Sequence, residues 1–309
     1  MNYILVTGAT GFLGSHILKS LLQNTNYHIL VLKRSFSDTY RINNELNNSR
    51  VHWINIDVDN VELVNAFKNN NILAIIHCAT NYGRNGDCVD TLETNLIFPV
   101  YLLELAVKYN VELFINTDSY FNKDSMSYLY LQNYSLSKKS LLLWLKYFSK
   151  KIKIINMMLE HIYGDKDDDK KFVASMVRKI AIENINSVNC TFGDQKRDFI
   201  FVDDVCNAYL TVLDYGLKNK FRYRNFDIGT GTAVSIKDFV MKIKEISNSD
   251  TKLNFGAMPY RDDEIMLSVA DNIDLCNLGW EPKFDYISGI KTVIEREKYE
   301  IINHCRTDI

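Results

Sequence analysis

The stretch VTGATGFLGSH, residues 6–16, constrains the fold of this chain more than any other segment. It joins an apolar run to an amphipathic stretch and spaces three glycines as GxxGxxG. In such a turn the first glycine permits a tight bend, the second lets a pyrophosphate approach the backbone, and the third lets helix and strand pack closely. The N–H groups of the helix N-terminus then face the phosphates. The pattern predicts a dinucleotide site, with a plain glycine turn as the alternative; its residues are Gly8, Thr10, Gly11, Phe12, Leu13 and Gly14.

Short apolar runs alternate with helical patterns through the first half of the chain. The runs are YILVTG, HILVLK, VHWINID, LAIIHCA, VELFINT and IKIINMM, and two of the intervening stretches are GSHILKSLLQN and FPVYLLELAVKYN. Alternation of this kind produces a parallel sheet with helices on both faces. Strands buried on both faces carry nearly continuous apolar residues, as these runs do. The predicted class is therefore α/β with a doubly wound parallel sheet.

Composition argues against several kinds of partner. The 309 residues carry a net charge of −2, which does not favour nucleic acid or an anionic membrane. No apolar run reaches the roughly 18 residues of a membrane-spanning helix, and the first residues lack the pattern of a signal peptide. The six cysteines form no CxxC pair, and the aspartates at 167–169 lack the further carboxylate spacing of a metal site. We therefore expect a reduced, cytoplasmic protein that needs no metal.

Tyr134 and Lys138, in NYSLSKKSLLLWLKYF, are four residues apart, so a helix places them on one face. A neighbouring ammonium lowers the pKa of a phenol because it stabilises the phenolate. Moving a tyrosine pKa from about 10 toward 7 requires about 4 kcal/mol, which Lys138 and the charge of a nicotinamide ring together can supply. Such a phenol exchanges a proton with an alcohol oxygen during hydride transfer. The alternative is an ordinary surface pair.

The segment FINTDSYFNK ends the fifth predicted strand and brings Thr117 and Ser119 to its carboxyl edge. Ligands bind at that edge in open α/β sheets. Either hydroxyl is able to hydrogen-bond a substrate carbonyl, and the other then serves to form a turn. The pattern predicts a third catalytic group at one of these two positions.

The second predicted strand, in HILVLKRSFSD, ends in Lys33 and Arg34, where an acid is common in dinucleotide-binding folds. An acid there binds both ribose hydroxyls of NAD and repels a 2′-phosphate. Lys33 and Arg34 instead offer charge-assisted hydrogen bonds to a 2′-phosphate, with Ser35 as a further donor. They predict NADPH rather than NAD(H), unless they are ordinary solvated bases.

Asp57, at the end of the third strand, is predicted either to accept a hydrogen bond from the adenine amino group or to cap the next helix.

Together these motifs resemble the extended short-chain dehydrogenase/reductase family of nucleotide-sugar epimerases, dehydratases and reductases. TGATGFLG is similar to its cofactor turn, YSLSK to its catalytic motif, and GDQKRDFIFVDDV and FDIGTGTAVSI to signatures of its extended members. YRDDEIMLSVADNIDLCNLGWEP is similar to its C-terminal pattern. The resemblance implies a Rossmann-like sheet with a smaller, interwoven C-terminal substrate-binding α/β domain. The NADP(H)-binding domain would span 1–163 and about 198–231, and the nucleotide-sugar-binding domain about 164–197 and 232–309.

The resemblance also implies which residues bind the cofactor. Asp57 and Val58 correspond to the adenine-contacting pair of the family, and Asn95 corresponds to a recurrent asparagine. The segment HCAT, residues 77–80, stands where the family has a small-residue loop under the nicotinamide ribose. The cofactor residues implied in that loop are Cys78, Ala79 and Thr80.

For the substrate, the resemblance implies that Arg197 and Arg261 bind the nucleotide diphosphate, because a guanidinium contacts two phosphate oxygens at once. A structural ion pair with Asp198 or Glu264 is the alternative for each arginine. His161 replaces the usual asparagine of the family, and it either faces the sugar pocket or is a core histidine. Further substrate contacts are implied for Asn81, Tyr82 and Arg84.

Within the family, ATNYGRNGD, FINTDSYFNK and LEHIYGDKDDDKKFVASMV are most similar to the reductases that make CDP-paratose and CDP-abequose. Dehydratases of the family carry Thr-Asp-Glu where this chain has Thr117-Asp118-Ser119, and the missing Glu argues against 4,6-dehydration. The predicted reaction is NADPH-dependent reduction of the C4 keto group of a nucleotide-linked 4-keto-6-deoxy hexose, specifically a CDP-4-keto-3,6-dideoxy hexose. No nucleic acid or membrane partner is predicted. Ser119, rather than Thr117, is predicted to hold the carbonyl oxygen.

Two other activities stay open from the sequence. A 4-epimerase uses the same catalytic trio but retains NAD, and some members of the fold are non-catalytic, cofactor-sensing proteins. The family likeness further implies a homodimer through a four-helix contact that includes the Tyr134 helix. The apolar run SLLLWLKYF of that helix has more than one apolar side, which fits such a contact.

Overall fold

A computed structural model describes residues 1–57, 60–84, 86–123 and 131–307 of the chain. The chain divides into two compact units, each built from three separate segments, so the units are interwoven in sequence. Unit 1 comprises Met1–Leu159, Cys206–Asp227 and Ile273–Trp280. Unit 2 comprises Glu160–Val205, Ile228–Asn272 and Glu281–Ile309.

The regular elements are short strands and helices of varied length. The strands are β1 (Asn2–Thr7), β2 (His28–Lys33), β3 (Val51–Asn55), β4 (Asn71–His77), β5 (Leu113–Ser119), β6 (Lys153–Leu159), β7 (His161–Tyr163), β8 (Ser187–Asn189), β9 (Lys196–Arg197), β10 (Phe199–Phe201), β11 (Tyr223–Ile228), β12 (Val234–Ser235), β13 (Lys252–Asn254) and β14 (Leu267–Ser268). The α-helices are α1 (Phe12–Asn24), α2 (Val61–Asn69), α3 (Cys88–Leu92), α4 (Phe98–Lys108), α5 (Gln132–Phe148), α6 (Phe172–Met176), α7 (Val202–Lys218), α8 (Ile236–Ser247), α9 (Ile273–Cys276) and α10 (Tyr286–Thr307). Single 3₁₀ turns span Tyr40–Ile42 and Tyr120–Asn122, and π-helical turns span Glu93–Ile97 and Val177–Ile182.

The central sheet has seven strands in the order β11-β6-β5-β4-β1-β2-β3. Strands β1 to β6 pair in parallel throughout. The six apolar runs therefore form the predicted strands, and the predicted α/β class with a parallel sheet is confirmed. Strand β11 was not among the predicted strands, because it lies at the sheet edge and exposes Arg224 and Asn225, which interrupt its apolar pattern.

Helices cover both faces of this sheet. Neighbouring side chains of a strand point to opposite faces, and β5 shows the consequence. Phe114 lies in one core cluster with Leu103 of α4 and Leu141 of α5. Leu113 instead packs so closely against α7 that a Cβ atom at Gly216 would overlap it. The double winding places the carboxyl ends of β1 and β4 side by side, where the strand order changes direction and where α/β sheets bind ligands.

Unit 2 contains three small sheets. Strand β7 pairs in parallel with β10, β13 pairs in parallel with β8, and β9 lies between β12 and β14. Buried Asp198, between β9 and β10, ties this unit together by accepting hydrogen bonds from the backbone N–H groups of Thr230, Gly231 and Ala270. In the described part of the chain, no helix combines the length and hydropathy that a membrane span requires.

Candidate active site

The glycine turn has the geometry that the sequence predicts. Gly8 follows β1 with φ +70°, a conformation that favours glycine, and the N–H of Gly11 donates to its carbonyl oxygen at 2.9 Å. A Cβ atom at Gly8 would lie 2.6 Å from the backbone nitrogen of Ala79, and one at Gly14 would overlap the Gly8 carbonyl oxygen. The first and third glycines are therefore required for β1, α1 and the loop after β4 to approach one another.

The second glycine borders open space. A Cβ atom at Gly11 would meet only the Gly8 carbonyl oxygen, at 3.2 Å, among the described residues. Gly11 is also the N-cap of α1, and the first turn of this 13-residue helix carries no acidic side chain. Its first N–H groups and positive dipole end are thus available to an anion. Thr10 and Leu13 are half-buried beside the turn, and Phe12 is buried against His16. The turn fits a dinucleotide pyrophosphate.

The loop after β4, residues 78–81, is held by two buried side chains. The hydroxyl of Thr7 accepts hydrogen bonds from the N–H groups of Cys78 and Ala79 at 3.2 and 3.1 Å. The side chain of Asn95 accepts from the Thr80 hydroxyl at 3.1 Å and from the Asn81 N–H at 2.7 Å. The loop is therefore fixed beside the glycine turn, where the sequence predicts the nicotinamide ribose. Thr7 was not among the predicted residues, although its position at the carboxyl end of β1, directly before the glycine turn, could have indicated a role in the site.

Asn95 has no capacity for a further ligand. Besides accepting two hydrogen bonds, its Nδ2 donates to the Asn81 carbonyl at 2.7 Å and to the Ser137 hydroxyl at 3.0 Å. An amide side chain has two donor hydrogens and two acceptor lone pairs, so all four are used. Asn95, which is fully buried, thus joins the loop to α5 rather than reaching the cofactor with its own side chain.

Lys33, Arg34, Ser35 and Asp57 meet at the carboxyl ends of β2 and β3. The carboxylate of Asp57 accepts a hydrogen bond from the Ser35 N–H. The Ser35 side chain and this backbone bond, assisted by the charges of Arg34 and Lys33, hold the pKa of Asp57 below its usual value. Asn60, and not Asp57, occupies the N-cap position of the helix that follows, so the alternative role of Asp57 as an N-cap is excluded. Val58, the other predicted adenine contact, lies outside the described residues.

The predicted catalytic side chains converge at the end of β5. Tyr134 and Lys138 are buried on the same face of α5, with exposed fractions of 5% and 3%. The Ser119 side chain interacts with the Tyr134 hydroxyl and lowers its pKa. The Lys138 ammonium donates to the Thr117 carbonyl oxygen at 2.8 Å and lies 5.9 Å from the centre of the Tyr134 ring. The alternative of an exposed surface pair is excluded by this burial.

Burial controls the protonation of this cluster. It raises the pKa of Tyr134 well above 10, and the interaction with Ser119 opposes this change only in part. Burial also lowers the pKa of Lys138, an effect that the charge of Asp118 opposes. The sequence predicts that Lys138 and the charge of a nicotinamide ring together lower the tyrosine pKa. The protein's own groups act in the opposite direction, because desolvation of the phenolate, together with Tyr82 and Asp118, raises this pKa. The phenol is therefore protonated at neutral pH.

Thr117 is engaged away from Tyr134. Its hydroxyl lies 2.6 Å from the hydroxyl of Tyr209 on α7 and donates to the Cys78 sulfur at 3.4 Å. Burial raises the pKa of the Cys78 thiol to about 11, so this sulfur is uncharged at neutral pH. Sequence reasoning missed Tyr209, which is a buried tyrosine in an ordinary amphipathic helix and carries no local signal.

Tyr82 and Arg84, two predicted substrate residues, lie beside Tyr134. The ring of Tyr82 stacks on the ring of Tyr134, with centres 5.1 Å apart, and the Arg84 guanidinium lies 5.4 Å from the centre of the Tyr82 ring. Asn81 precedes them, with its side chain accepting from the Gly83 N–H at 2.9 Å. A cavity of about 300 Å³ opens here. Its lining residues are Gly83, Arg84, Leu131, Gln132 and Asn133.

The remaining predicted substrate residues belong to unit 2. Arg197 is buried and forms an ion pair with Glu264 at 2.5 Å, which is the predicted alternative to phosphate binding. Arg261 is exposed, and its carbonyl oxygen accepts from the Glu264 N–H at 3.1 Å. The ring of His161 packs edge-on against Phe199, and burial lowers the pKa of this imidazole. His161 therefore has the surroundings of a neutral, mostly buried histidine.

Known proteins resemble this chain over nearly its whole length. The model of the NAD dependent epimerase/dehydratase family matches residues 4–229. A CDP-abequose synthase of Salmonella typhimurium is 37% identical over 304 residues, covering 96% of this chain and 98% of that protein. A putative UDP-glucose 4-epimerase of Methanocaldococcus jannaschii is 27% identical over 313 residues, covering 94% and 97%. The crystal structure of the Thermotoga maritima UDP-glucose 4-epimerase with UDP-glucose has the same fold, with a TM-score of 0.83 at 24% identity, and covers 97% of this chain and 100% of that one.

These matches agree with the site as built from its residues. The family match includes the glycine turn, the end of β5 and the Tyr134–Lys138 pair. The turn fits a dinucleotide, and the buried phenol and ammonium stand at the sheet edge where ligands bind. The chain belongs to the NAD-dependent epimerase/dehydratase family and is an NAD(P)-dependent enzyme of the oxidoreductase type.

Proposed function

We propose that this protein is an NADPH-dependent reductase of a nucleotide-linked sugar. Its substrate is a 4-keto-6-deoxy hexose, specifically a CDP-linked 4-keto-3,6-dideoxy hexose, and its product carries a hydroxyl at C4. The observation that carries the proposal is the pairing of protonated Tyr134 with Ser119 at the end of β5. Reduction begins with a proton on the general acid, and a tyrosine pKa well above 10 supplies that state at neutral pH.

The similarity to a CDP-abequose synthase supports this choice of substrate class. The absence of Glu from Thr117-Asp118-Ser119 supports reduction over dehydration, since Ser119 is a hydrogen-bonding group and not a base at neutral pH. We assign cofactor binding to unit 1 and binding of the nucleotide diphosphate to Arg197 and Arg261 in unit 2. For Arg197 to bind phosphate, the phosphate oxygens must replace the Glu264 carboxylate.

Each residue of the site has a defined part in this reaction. When bound, the reduced nicotinamide supplies a hydride to the sugar C4. Ser119 donates a hydrogen bond to the carbonyl oxygen, where negative charge develops. Tyr134 transfers its proton to that oxygen. Lys138 has three N–H donors and uses one on the Thr117 carbonyl, so it retains donors for the hydroxyls of the nicotinamide ribose.

The proposal is tested by incubating the protein with CDP-4-keto-3,6-dideoxyglucose and either NADPH or NADH. We expect stoichiometric oxidation of NADPH, followed as loss of absorbance at about 340 nm, the absorption band of the reduced nicotinamide. NMR of the product will show a hydroxyl at C4 and its stereochemistry. A protein that leaves the keto sugar unreduced with either cofactor would refute the proposal.

A nucleotide-sugar 4-epimerase is the second candidate, favoured by the similarity to the Methanocaldococcus jannaschii protein. It would use the same Tyr134, Lys138 and Ser119 but would regenerate its NAD in every cycle. The same incubation distinguishes the two, because an epimerase copurifies with NAD, interconverts C4 epimers and consumes no added NADPH.

We further propose that the protein is a cytoplasmic homodimer joined through α5. Leu136, Leu143 and Tyr147 are exposed by 56%, 70% and 49%, on the side of α5 away from its buried residues. Light scattering on the purified protein should therefore give twice the mass of one chain. Leu143→Glu should reduce this to the mass of a monomer, because a buried unpaired charge disfavours association. A wild-type monomer at micromolar concentration would contradict the proposal.

A further inference from the structure

Asp118 is a buried carboxylate between the two hydroxyl residues at the end of β5, and only 3% of it is exposed. Its Oδ1 accepts hydrogen bonds from the Ser119 N–H at 2.8 Å and from the Asn122 side chain at 2.7 Å. Its Oδ2 accepts from the Asn156 side chain at 2.8 Å. Burial raises the pKa of Asp118, and the charge of Lys138 and these three hydrogen bonds oppose that change. Each of the three partners is an N–H donor, so the arrangement suits an ionised carboxylate, which only accepts.

A chain of amides, buried at Asn116 and Asn156 and exposed at its far end, extends from this carboxylate across three strands. Asn156 of β6 also donates to the Asn225 side chain of β11 at 2.8 Å, and it accepts from Asn116 of β5 at 2.7 Å. Asn116 and Asn156 are directly opposite each other in the β5–β6 register. Burying polar groups in a sheet is costly unless they are hydrogen-bonded to one another. Apolar side chains would fill this space without that cost. The network of amides therefore indicates a role for the carboxylate of Asp118 at its end.

The face of β5 that carries Asp118 is the face covered by α5. Alternate residues of a strand point to the same face, so Phe114, Asn116 and Asp118 share this one. Phe114 belongs to one core cluster with Leu141 of α5. Lys138 is one helical turn before Leu141, and its ammonium donates to the carbonyl oxygen of the residue before Asp118. The carboxylate and the ammonium therefore lie in one buried layer between strand and helix.

Among the described residues, Asp118 is the negatively charged group that interacts with the Lys138 ammonium. The other titratable groups coupled to or facing Lys138 are His77, Cys78 and Tyr134. Burial lowers the pKa of His77 to about 3 and raises that of Cys78 to about 11, so both are neutral at pH 7. Tyr134, Tyr209 and Tyr223, which couple to Asp118, are protonated there because their pKa values are raised.

We propose that Asp118 is a positioning residue that anchors the backbone of Ser119 and keeps the buried Lys138 cationic. The inference rests on the proposed function for its effect on turnover. The pH dependence of turnover follows from Lys138, which must be protonated to act. Its ammonium loses a proton, and activity falls, as the pH rises through the pKa of Lys138. Without the negative charge of Asp118 that pKa falls, so the loss of activity begins at a lower pH.

The test compares Asp118→Asn with Asn225→Ala, which removes the far end of the amide chain and leaves the carboxylate. The pKa of Lys138 is measured by NMR of lysine labelled at Cε, with the signal assigned through Lys138→Met. We expect Asp118→Asn to lower this pKa by about 1 to 3 units, the effect of removing a close opposite charge. The alkaline limb of the pH profile of kcat should move the same way, with kcat at pH 7 reduced about 10- to 100-fold because Ser119 is displaced. Asn225→Ala should leave the Lys138 pKa unchanged.

An unchanged Lys138 pKa in Asp118→Asn, or an equal shift in Asn225→Ala, would overturn the proposal. Should Asp118→Asn not fold, the wild-type titration decides, because a Lys138 found neutral at pH 7 would also overturn it. The NMR measurement requires no substrate. If the protein reduces no 4-keto nucleotide sugar, the proposed function fails while the coupling of Asp118 to Lys138 is still measured.

Discussion

Tyr134→Phe is expected to reduce kcat for the proposed reduction by about 10²- to 10⁴-fold, the usual contribution of a general acid. The phenol is buried at 5% exposure, so water does not readily replace its proton. Phenylalanine keeps the ring and its stacking on Tyr82, and the protein should fold and bind NADPH as before. Steady-state rates, together with a fluorescence titration of NADPH, separate the loss of chemistry from a loss of binding.

Tyr82→Phe is the matched control for this change. It removes a hydroxyl from the ring stacked on Tyr134, 5.1 Å away, and keeps the stack itself. We expect only a small effect on kcat, because Tyr82 is not the proton donor in the proposed reaction. Turnover that is unchanged in Tyr134→Phe would remove Tyr134 from the chemistry and would favour the non-catalytic, cofactor-sensing role.

The sheet and the glycine turn are predictable from sequence because both depend on residues that are close together along the chain. Continuous apolar runs identify β1 to β6, and the spacing of Gly8, Gly11 and Gly14 identifies the turn before α1. The i,i+4 spacing of Tyr134 and Lys138 likewise places both on one face of α5. In each case local periodicity determines the geometry.

Contacts between distant segments have no such local signal. Thr117 meets Tyr209 across 92 positions, and this contact engages the Thr117 hydroxyl. The buried amides around Asp118 depend on the register of β5 against β6, which no single segment encodes. The full use of Asn95 also becomes visible only when the loop after β4 and α5 are both in place.

The pKa of Tyr134 shows why the protonation of the site was harder to predict than the identity of the residues that form it. The sequence reveals the neighbouring charge of Lys138 but not the depth at which the phenol is buried. A neighbouring cation lowers the pKa of a tyrosine and burial raises it. Here burial is the largest effect, and the charge of Asp118 acts in the same direction. The direction of the pKa change could be known only from the fold.

Arg34→Ala is expected to raise KM for NADPH by about 10- to 100-fold, as the loss of a charge-assisted hydrogen bond does. KM for NADH should change little, because NADH has no 2′-phosphate. Arg34 is exposed at the carboxyl end of β2, and its guanidinium lies 4.7 Å from the centre of the Phe36 ring, which supports the side chain. The measurement is the ratio of kcat/KM for the two cofactors in wild type and variant.

Arg41→Ala controls for the loss of any arginine from this part of unit 1. Arg41 is likewise stacked on an adjacent ring, at 4.5 Å from the centre of Tyr40, but it lies beyond the end of β2 in the following 3₁₀ turn. It should leave the cofactor ratio of the wild type intact. An equal rise in both KM values for Arg34→Ala would mean that Arg34 does not contact the 2′-phosphate, since only a contact with that group distinguishes the two cofactors.

The negative charge of Asp57, bonded to the Ser35 N–H beside Arg34, makes the outcome informative. This carboxylate repels a 2′-phosphate, so a preference for NADPH requires the positive charges of Lys33 and Arg34 to outweigh it.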